Sequence, residues 1–219
     1  MQIDPAGIER QTIATLVDLS GKNILEVGFG SGRETSYLTR PDNFILAIDP
    51  DPARMKVLPA KMPRVGFQCL DLLSTSWHQE FDLVVFSMAL HHIRTREAKL
   101  EALAKAREAC KPGGEILIIE PPMNGELTRL ICEFDLDEVR GITEASAILN
   151  DPDLAYKVMA KGVEALWEFT DEQEVLTFFA TMMKRVSADV TEEAVAAALA
   201  RLGLSGRTRL LDLIDFYVL

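Results

Sequence analysis

Short apolar runs, each ending in a turn or an acid, set the rhythm of the first half of the chain. They are N-I-L-E-V-G (23–28), F-I-L-A-I-D (44–49), V-G-F-Q-C-L-D (65–71), F-D-L-V-V-F-S (81–87) and E-I-L-I-I-E-P (115–121). The runs are nearly continuous rather than alternating, which is the pattern of parallel strands covered by helices on both faces. Polar stretches with helical spacing separate them. R-E-T-S-Y-L-T-R (33–40) predicts a short helix stopped by Pro41, and Asp51-Pro52 opens another, closed by Pro59 and Pro63. T-R-E-A-K-L-E-A-L-A-K-A-R-E-A-C (95–110) predicts a long helix. Strand and helix in alternation, joined by short connections, predict a doubly wound α/β sheet.

The rhythm changes after Pro122. Residues 126–162 read as helical and acidic, and 163–169 as a strand. Thr170 to Gln173 reads as a capping box opening a helix to about Val186. An alanine-rich helix follows over 191–202, stopped at Gly203, and 208–219 predicts a final strand. At the other end, Asp4-Pro5 reads as the cap and first turn of an N-terminal helix.

Composition narrows the function classes. The net charge is −11, split as −2 over 1–120 and −9 over 121–219. Such a chain repels phosphates, so neither nucleic acid nor an anionic membrane is an expected partner. Cys69, Cys110 and Cys132 are odd in number and match no zinc or redox spacing, which predicts reduced thiols in a cytoplasmic protein. With only His78, His91 and His92 besides, no metal is expected. The start lacks a basic segment before an apolar core, so no signal peptide is expected, and no apolar run approaches 18 residues.

The chemistry concentrates in I-L-E-V-G-F-G-S-G-R (24–33). Gly28, Gly30 and Gly32 fall on a strand-to-helix turn, where glycine lets the backbone pass close to a ligand, and the next helix offers free N–H groups. The pattern departs from a dinucleotide fingerprint: the third glycine comes one position early, and Arg33 stands where a small residue should pack. Glu26, Asp49 and Asp71 end three successive strands; a carboxylate at Asp49 can accept both hydroxyls of a ribose.

With these features in order, the chain resembles the class I S-adenosylmethionine-dependent methyltransferases. The resemblance rests on E-V-G-F-G-S-G, A-I-D-P, C-L-D-L, F-D-L-V-V-F-S-M-A-L-H-H-I and A-C-K-P-G-G-E-I-L-I-I-E-P, and covers 23–121. It implies a Rossmann-like sheet of seven strands, mostly parallel with an antiparallel last strand, plus a helical lid after the fifth. It implies S-adenosylmethionine as cofactor, held by Glu26, Gly28, Phe29, Gly30, Gly32, Asp49, Pro50, Asp71, Leu72, Met88 and Ala89. Glu26 would lie near the methionine ammonium, Asp49 on the ribose, Asp71 and Leu72 at the adenine, and Met88 and Ala89 on the other side. The whole of 1–219 then reads as one domain: an N-terminal helix in 1–22, the cofactor-binding core over 23–121, a lid or substrate insertion over 122–162, and 163–219 completing the sheet.

The resemblance implies methyl transfer to oxygen or nitrogen of a small molecule. A protein or peptide methyltransferase, or a non-catalytic binder of the cofactor, are the other readings, and a nucleotide-binding oxidoreductase is more distant. His91 and His92 fall beside the expected methyl site. Either one removes a proton there, or both are structural and bond a neighbouring loop. Residues 126–153 carry eight acids against Arg129 and Arg140. Such a roof either draws in a cationic substrate or is a solvated face. Trp167, Phe178 and Phe179 read as core, and Cys132 as a small apolar filler.

Overall fold

The computed structural model describes residues 1–58, 62–152, 154, 156 and 158–219. In chain order its elements are β1 (Gln2–Ile3), α1 (Ile8–Leu16), β2 (Asn23–Val27), α2 (Arg33–Leu38), β3 (Phe44–Asp49), β4 (Val65–Cys69), β5 (Phe81–Ser87), α3 (Arg96–Ala109), β6 (Cys110–Glu120), α4 (Glu126–Cys132), α5 (Leu136–Leu149), β7 (Val158–Glu168), α6 (Glu172–Met183), α7 (Glu192–Leu202) and β8 (Arg209–Val218). The described strands form one sheet in the order β1-β7-β8-β6-β5-β2-β3-β4. Pairing is parallel from β4 through β6. β8 is antiparallel to both β6 and β7, and β1 is antiparallel to β7.

Successive residues of the central strands enter two different cores, which is why the runs look continuous in sequence. Leu25, Val84, Phe86, Ile116 and Ile118 pack with Ala102 and Ala106 of α3 and with Ala145 and Ile148 of α5. Ile24, Leu83, Val85, Leu117 and Ile119 pack on the opposite face with Ile13 of α1 and Leu38. A third cluster joins Leu130, Phe179, Val195 and Leu199 from α4, α6 and α7. Phe179 is fully buried there, with Phe178 and Trp167 packed against the cluster.

Among the described residues the sheet has eight strands rather than seven. The extra one, Gln2–Ile3, pairs with Glu168 and Trp167 over two residues, too few to leave a hydrophobic pattern. β7 begins at Val158, inside the stretch expected to be helical. Its pairing with β8 shifts register between Ala160 and Val163, where Gly162 has φ 63°, and that irregularity breaks the strand's alternation. The helix expected after Asp51 is a single 3-10 turn, Arg54–Lys56; Pro59, expected to close it, lies outside the described residues. The N-terminal helix starts at Ile8, because a turn at Gly7 (φ 67°) intervenes, yet Asp4 still caps it through Oδ1 and Oδ2 to the amides of Ile8 and Glu9. The capping box sits one residue late: Asp171 accepts from the Glu174 amide at 2.8 Å, and Glu174 reaches back to the Thr170 amide at 2.7 Å.

The helical insertion after β6 is docked on the sheet by α5. A Cβ added at Gly141 would lie 2.3 Å from the carbonyl oxygen of His91, so the two backbones touch. Lys99 of α3, wholly buried, donates to the carbonyl of Ile93 at 2.6 Å and to Glu144 of α5 at 2.9 Å. The turn after β5 is thereby held between α3, α5 and the sheet.

Candidate functional site

β2 lies between β3 and β5, and chain order reverses there. Ligands of doubly wound sheets bind at the carboxyl ends of the strands at such a switch point. A hollow of about 500 Å³ lies instead at the amino ends, lined by Asn23, Phe44, Arg64 and Glu80 among others. Its lining is mostly apolar side chains at the strand starts.

β2 runs into a turn at Gly28 (φ 84°), whose amide donates to the carbonyl of Ile48 at 2.8 Å. A Cβ at Gly28 would lie 2.4 Å from Cβ of Ala89. Only glycine therefore lets the turn after β2 close onto the segment after β5. Two residues earlier, Glu26 is completely buried. Ser87 Oγ donates to its Oε1 at 2.9 Å, while Oε2 has no partner. Burial pushes this carboxyl up to about 7, against the hydroxyls of Thr35 and Ser87 beside it, which hold it down. Thr35 Oγ1 makes no hydrogen bond of normal geometry, so its support is the weaker of the two.

Asp49 ends β3 next to this turn. Its Oδ2 accepts from the Gly30 amide at 3.1 Å and its Oδ1 from the Asp51 amide at 3.0 Å, leaving lone pairs on both oxygens. Asp71 is exposed after β4 and caps a 3-10 turn through the Leu73 amide at 2.9 Å; Leu72 beside it is buried. Pro50 is exposed. The Phe29 side chain is fully buried against Phe67, with ring centroids 5.1 Å apart, so only its backbone is available to a ligand. Met88 has φ 50°, a backbone that costs a non-glycine residue about 1–3 kcal/mol and that clusters at functional sites.

The structure treats the two histidines differently. His91 is buried, with Nδ1 2.7 Å from Glu120 Oε2 and Nε2 3.5 Å from Glu138 Oε1. Burial opposes its charge, but the two carboxylates outweigh it and push the imidazole up to about 10. Glu120 also accepts from the Leu90 amide at 2.9 Å. Glu138, in turn, is lowered despite its own burial by the hydrogen bond and charge of His91. His92 has 55% of its side chain open, and its Nδ1 stands 3.6 Å from Glu138 Oε2. Desolvation of its packed face and the His91 charge push it down to about 4. The open face softens the first effect; the direction alone leaves the ring neutral at pH 7.

Arg33 closes the other side of the glycine turn. Its guanidinium donates to Glu9 of α1 at 2.9 Å and to Glu34, tying the N-terminal helix to α2. Glu9 is raised to about 8, chiefly by burial, with Arg33 opposing. The acids of the insertion are mostly engaged within the fold: Glu126 with Arg207 and the Leu211 amide, Glu133 with Arg201, Asp135 as the cap of α5, Glu144 with Lys99. Asp153 lies outside the described residues.

The sequence-derived set thus divides. Glu26, Gly28, Gly30, Asp49 and Ala89 meet at the carboxyl ends of β2, β3 and β5, and Asp71 lies beyond β4. Glu120 went unforeseen, and Glu138 was read only as one of the eight acids of the insertion, not as a partner of the histidines. Glu120 was legible as an acid closing an apolar run; Glu138 lies 46 positions beyond His92, and no local pattern connects them. S-adenosylmethionine fits what is present on two observations. A buried carboxylate with an unpartnered oxygen suits an ammonium, and a turn that a Cβ would obstruct suits a ligand passing close to backbone.

Residues 24–114 match the family model described as a methyltransferase domain. An uncharacterized methyltransferase of Anoxybacillus flavithermus is 30% identical over 107 residues, 48% of this chain and 50% of that one. One from Geobacillus kaustophilus is 32% identical over 117 residues, 52% and 54% of the two chains. The chain spans about half the length of the curated relatives it matches. Among solved structures, a provisionally assigned methyltransferase of Bacillus halodurans superposes with TM-score 0.64 at 13% identity over 97% of each chain. N-methyltransferase NodS of Bradyrhizobium japonicum does so at 0.53 and 16% over 98% of each. These two likenesses show the fold. Among the described residues no helix is long and apolar enough to cross a membrane.

Proposed function

We propose that this protein is a class I S-adenosylmethionine-dependent methyltransferase that methylates an oxygen or nitrogen of a small-molecule acceptor; its match to the methyltransferase domain model over residues 24–114 and its fold support the reading. The observation that carries the reading is Glu26, buried with one oxygen unpartnered at the glycine turn, beside Asp49 on the adjoining strand. When bound, S-adenosylmethionine supplies a sulfonium methyl group that needs no further activation. What remains for the chain is to hold the cofactor, to place the acceptor in line and to exclude water. Such positioning is worth several kcal/mol, up to about 7–11. Glu26 would hold the ammonium and Asp49 the ribose diol, with the backbone at 28–32 beside them. The segment Met88–His92 would line the methyl site, and α5, packed on that turn, would roof it together with α4.

A protonated acceptor must also lose a proton. His91 is occupied by Glu120 and Glu138, so it orients rather than reacts. His92, neutral and open on one face, is the ring able to take the proton. We expect His92→Gln to lower kcat by about 10²–10⁴-fold while affinity for S-adenosylhomocysteine stays at the parent value. The assay is methyl release from labelled cofactor against a panel of hydroxyl and amine acceptors. Undiminished turnover by the variant would remove His92 from the chemistry.

A further inference from the structure

His91, His92 and Glu138 do more than surround a proton. Each offers a ligand atom, and these atoms all lie within 4.8 Å of one another. His91 Nε2 stands 3.5 Å from Glu138 Oε1, and His92 Nδ1 stands 3.6 Å from Glu138 Oε2. Both separations are long for a strong charge-assisted hydrogen bond, which closes to about 2.7–2.9 Å. They approach the spacing of two ligands that share one ion, each at about 2.0–2.2 Å from a tetrahedral metal. The His91–Glu120 contact at 2.7 Å is a true hydrogen bond, by contrast.

We propose that His91 Nε2, His92 Nδ1 and Glu138 form a binding site for one first-row divalent cation of the zinc class. Two imidazoles and a carboxylate are a known donor set for such ions, and three protein ligands leave a coordination position open. Glu120 completes the arrangement as a positioning residue. By accepting from Nδ1–H it turns the Nε2 lone pair of His91 toward the ion, the role outer carboxylates play at histidine metal ligands. The same carboxylate is fixed by the Leu90 amide at 2.9 Å, and the turn itself is fixed by the backbone contact at Gly141. His91 gives its Nε2 proton to solvent when the ion takes that lone pair. The half-exposed His92 supplies the route of entry.

The open position names an acceptor class. This step rests on the methyltransferase reading, since it needs the acceptor beside Met88–His92; ion binding itself does not. An acceptor hydroxyl bound to a divalent cation ionises near neutral pH, so the oxygen of an alcohol or phenol is favoured over an amine. With the ion bound, His92 serves as ligand and the proton leaves from the coordinated hydroxyl to water.

The test uses the full chain, stripped with chelator and titrated with Zn²⁺ by calorimetry and with Co²⁺ by its visible absorption. The expected result is one ion per chain, with Co²⁺ bands of a tetrahedral site. Glu138→Gln and His92→Ala should each weaken binding by tenfold or more. Glu120→Gln should weaken it by about 10–100-fold, because an amide N–H at Nδ1 inverts the tautomer. His92→Ala changes an exposed ring, so it keeps the test valid if a buried variant fails to fold. Absence of saturable binding, or equal binding by wild type and His92→Ala, overturns the site. S-adenosylhomocysteine titrated in parallel separates the two claims: cofactor bound without metal defeats only the ion, and metal bound without cofactor defeats only the methyltransferase reading.

Discussion

Glu26→Gln is expected to change stability and cofactor affinity in opposite directions. In the folded chain Glu26 holds its proton up to about pH 7, against an ordinary value of 4.5. Between those values the folded state binds the proton and the unfolded state does not, so stability falls as pH rises from 4.5 through 7. Above pH 7 the folded chain carries the cost of a buried charge, about 3 kcal/mol from a shift of this size. The amide has no charge to bury, and the Ser87 and Thr35 hydroxyls can accept from its N–H groups. The variant should therefore be more stable than the parent at pH 8 by up to that amount, with the difference gone below pH 4.5. Its affinity for S-adenosylhomocysteine should fall at least tenfold, since a charge-assisted hydrogen bond of about 1.5–3 kcal/mol is lost. Urea titrations at pH 4.5 and 8, beside calorimetry at pH 8, check both halves. A variant destabilised at pH 8 would mean that the charge is compensated inside the fold.

Gly28→Ala should damage both fold and site, and Gly30→Ala shows why. Both positions have positive φ, 84° and 54°, so both variants incur the left-handed penalty of about 1–2 kcal/mol. At Gly30 a Cβ meets nothing within 4 Å. At Gly28 it meets Cβ of Ala89 at 2.4 Å, and overpacking adds about 1–3 kcal/mol. We expect Gly28→Ala to lose about 2–5 kcal/mol and most of its affinity for S-adenosylhomocysteine, while Gly30→Ala loses about 1–2 kcal/mol. Adding Ala89→Gly to the Gly28 variant should relieve the clash but not the backbone strain. Equal losses in the two single variants would show that the turn does not need to close on Ala89.

The central strands β2, β3 and β5 were legible because their interior residues are buried on both faces, so Ile24, Leu25, Val27, Ile45, Ala47 and Ile48 are apolar, with Glu26 the exception that marks the site. The edge strand Gln2–Ile3 was not, being two residues long and defined by partners 166 and 164 residues away, Glu168 and Trp167. β7 hid its first residues because the irregularity at Gly162 interrupts the period that marks a strand. At the site, Glu26, Gly28 and Asp49 could be read because one strand-turn-helix unit and its neighbour carry them. The histidine turn could not: what separates His91 from His92 is Glu120 from β6 and Glu138 from α5, brought in by tertiary packing. The insertion's acids looked like a field in one dimension, and in three they are largely divided among Arg201, Arg207, Lys99 and helix caps.

The most direct test of the central claim is a calorimetric titration of the wild-type chain and of Asp49→Ala with S-adenosylhomocysteine and with NAD. We expect saturable binding of S-adenosylhomocysteine by the wild type, none of NAD, and a loss of at least tenfold in Asp49→Ala as the ribose hydroxyls lose a carboxylate acceptor. Binding of NAD in preference to S-adenosylhomocysteine, or an unchanged affinity in Asp49→Ala, would contradict it.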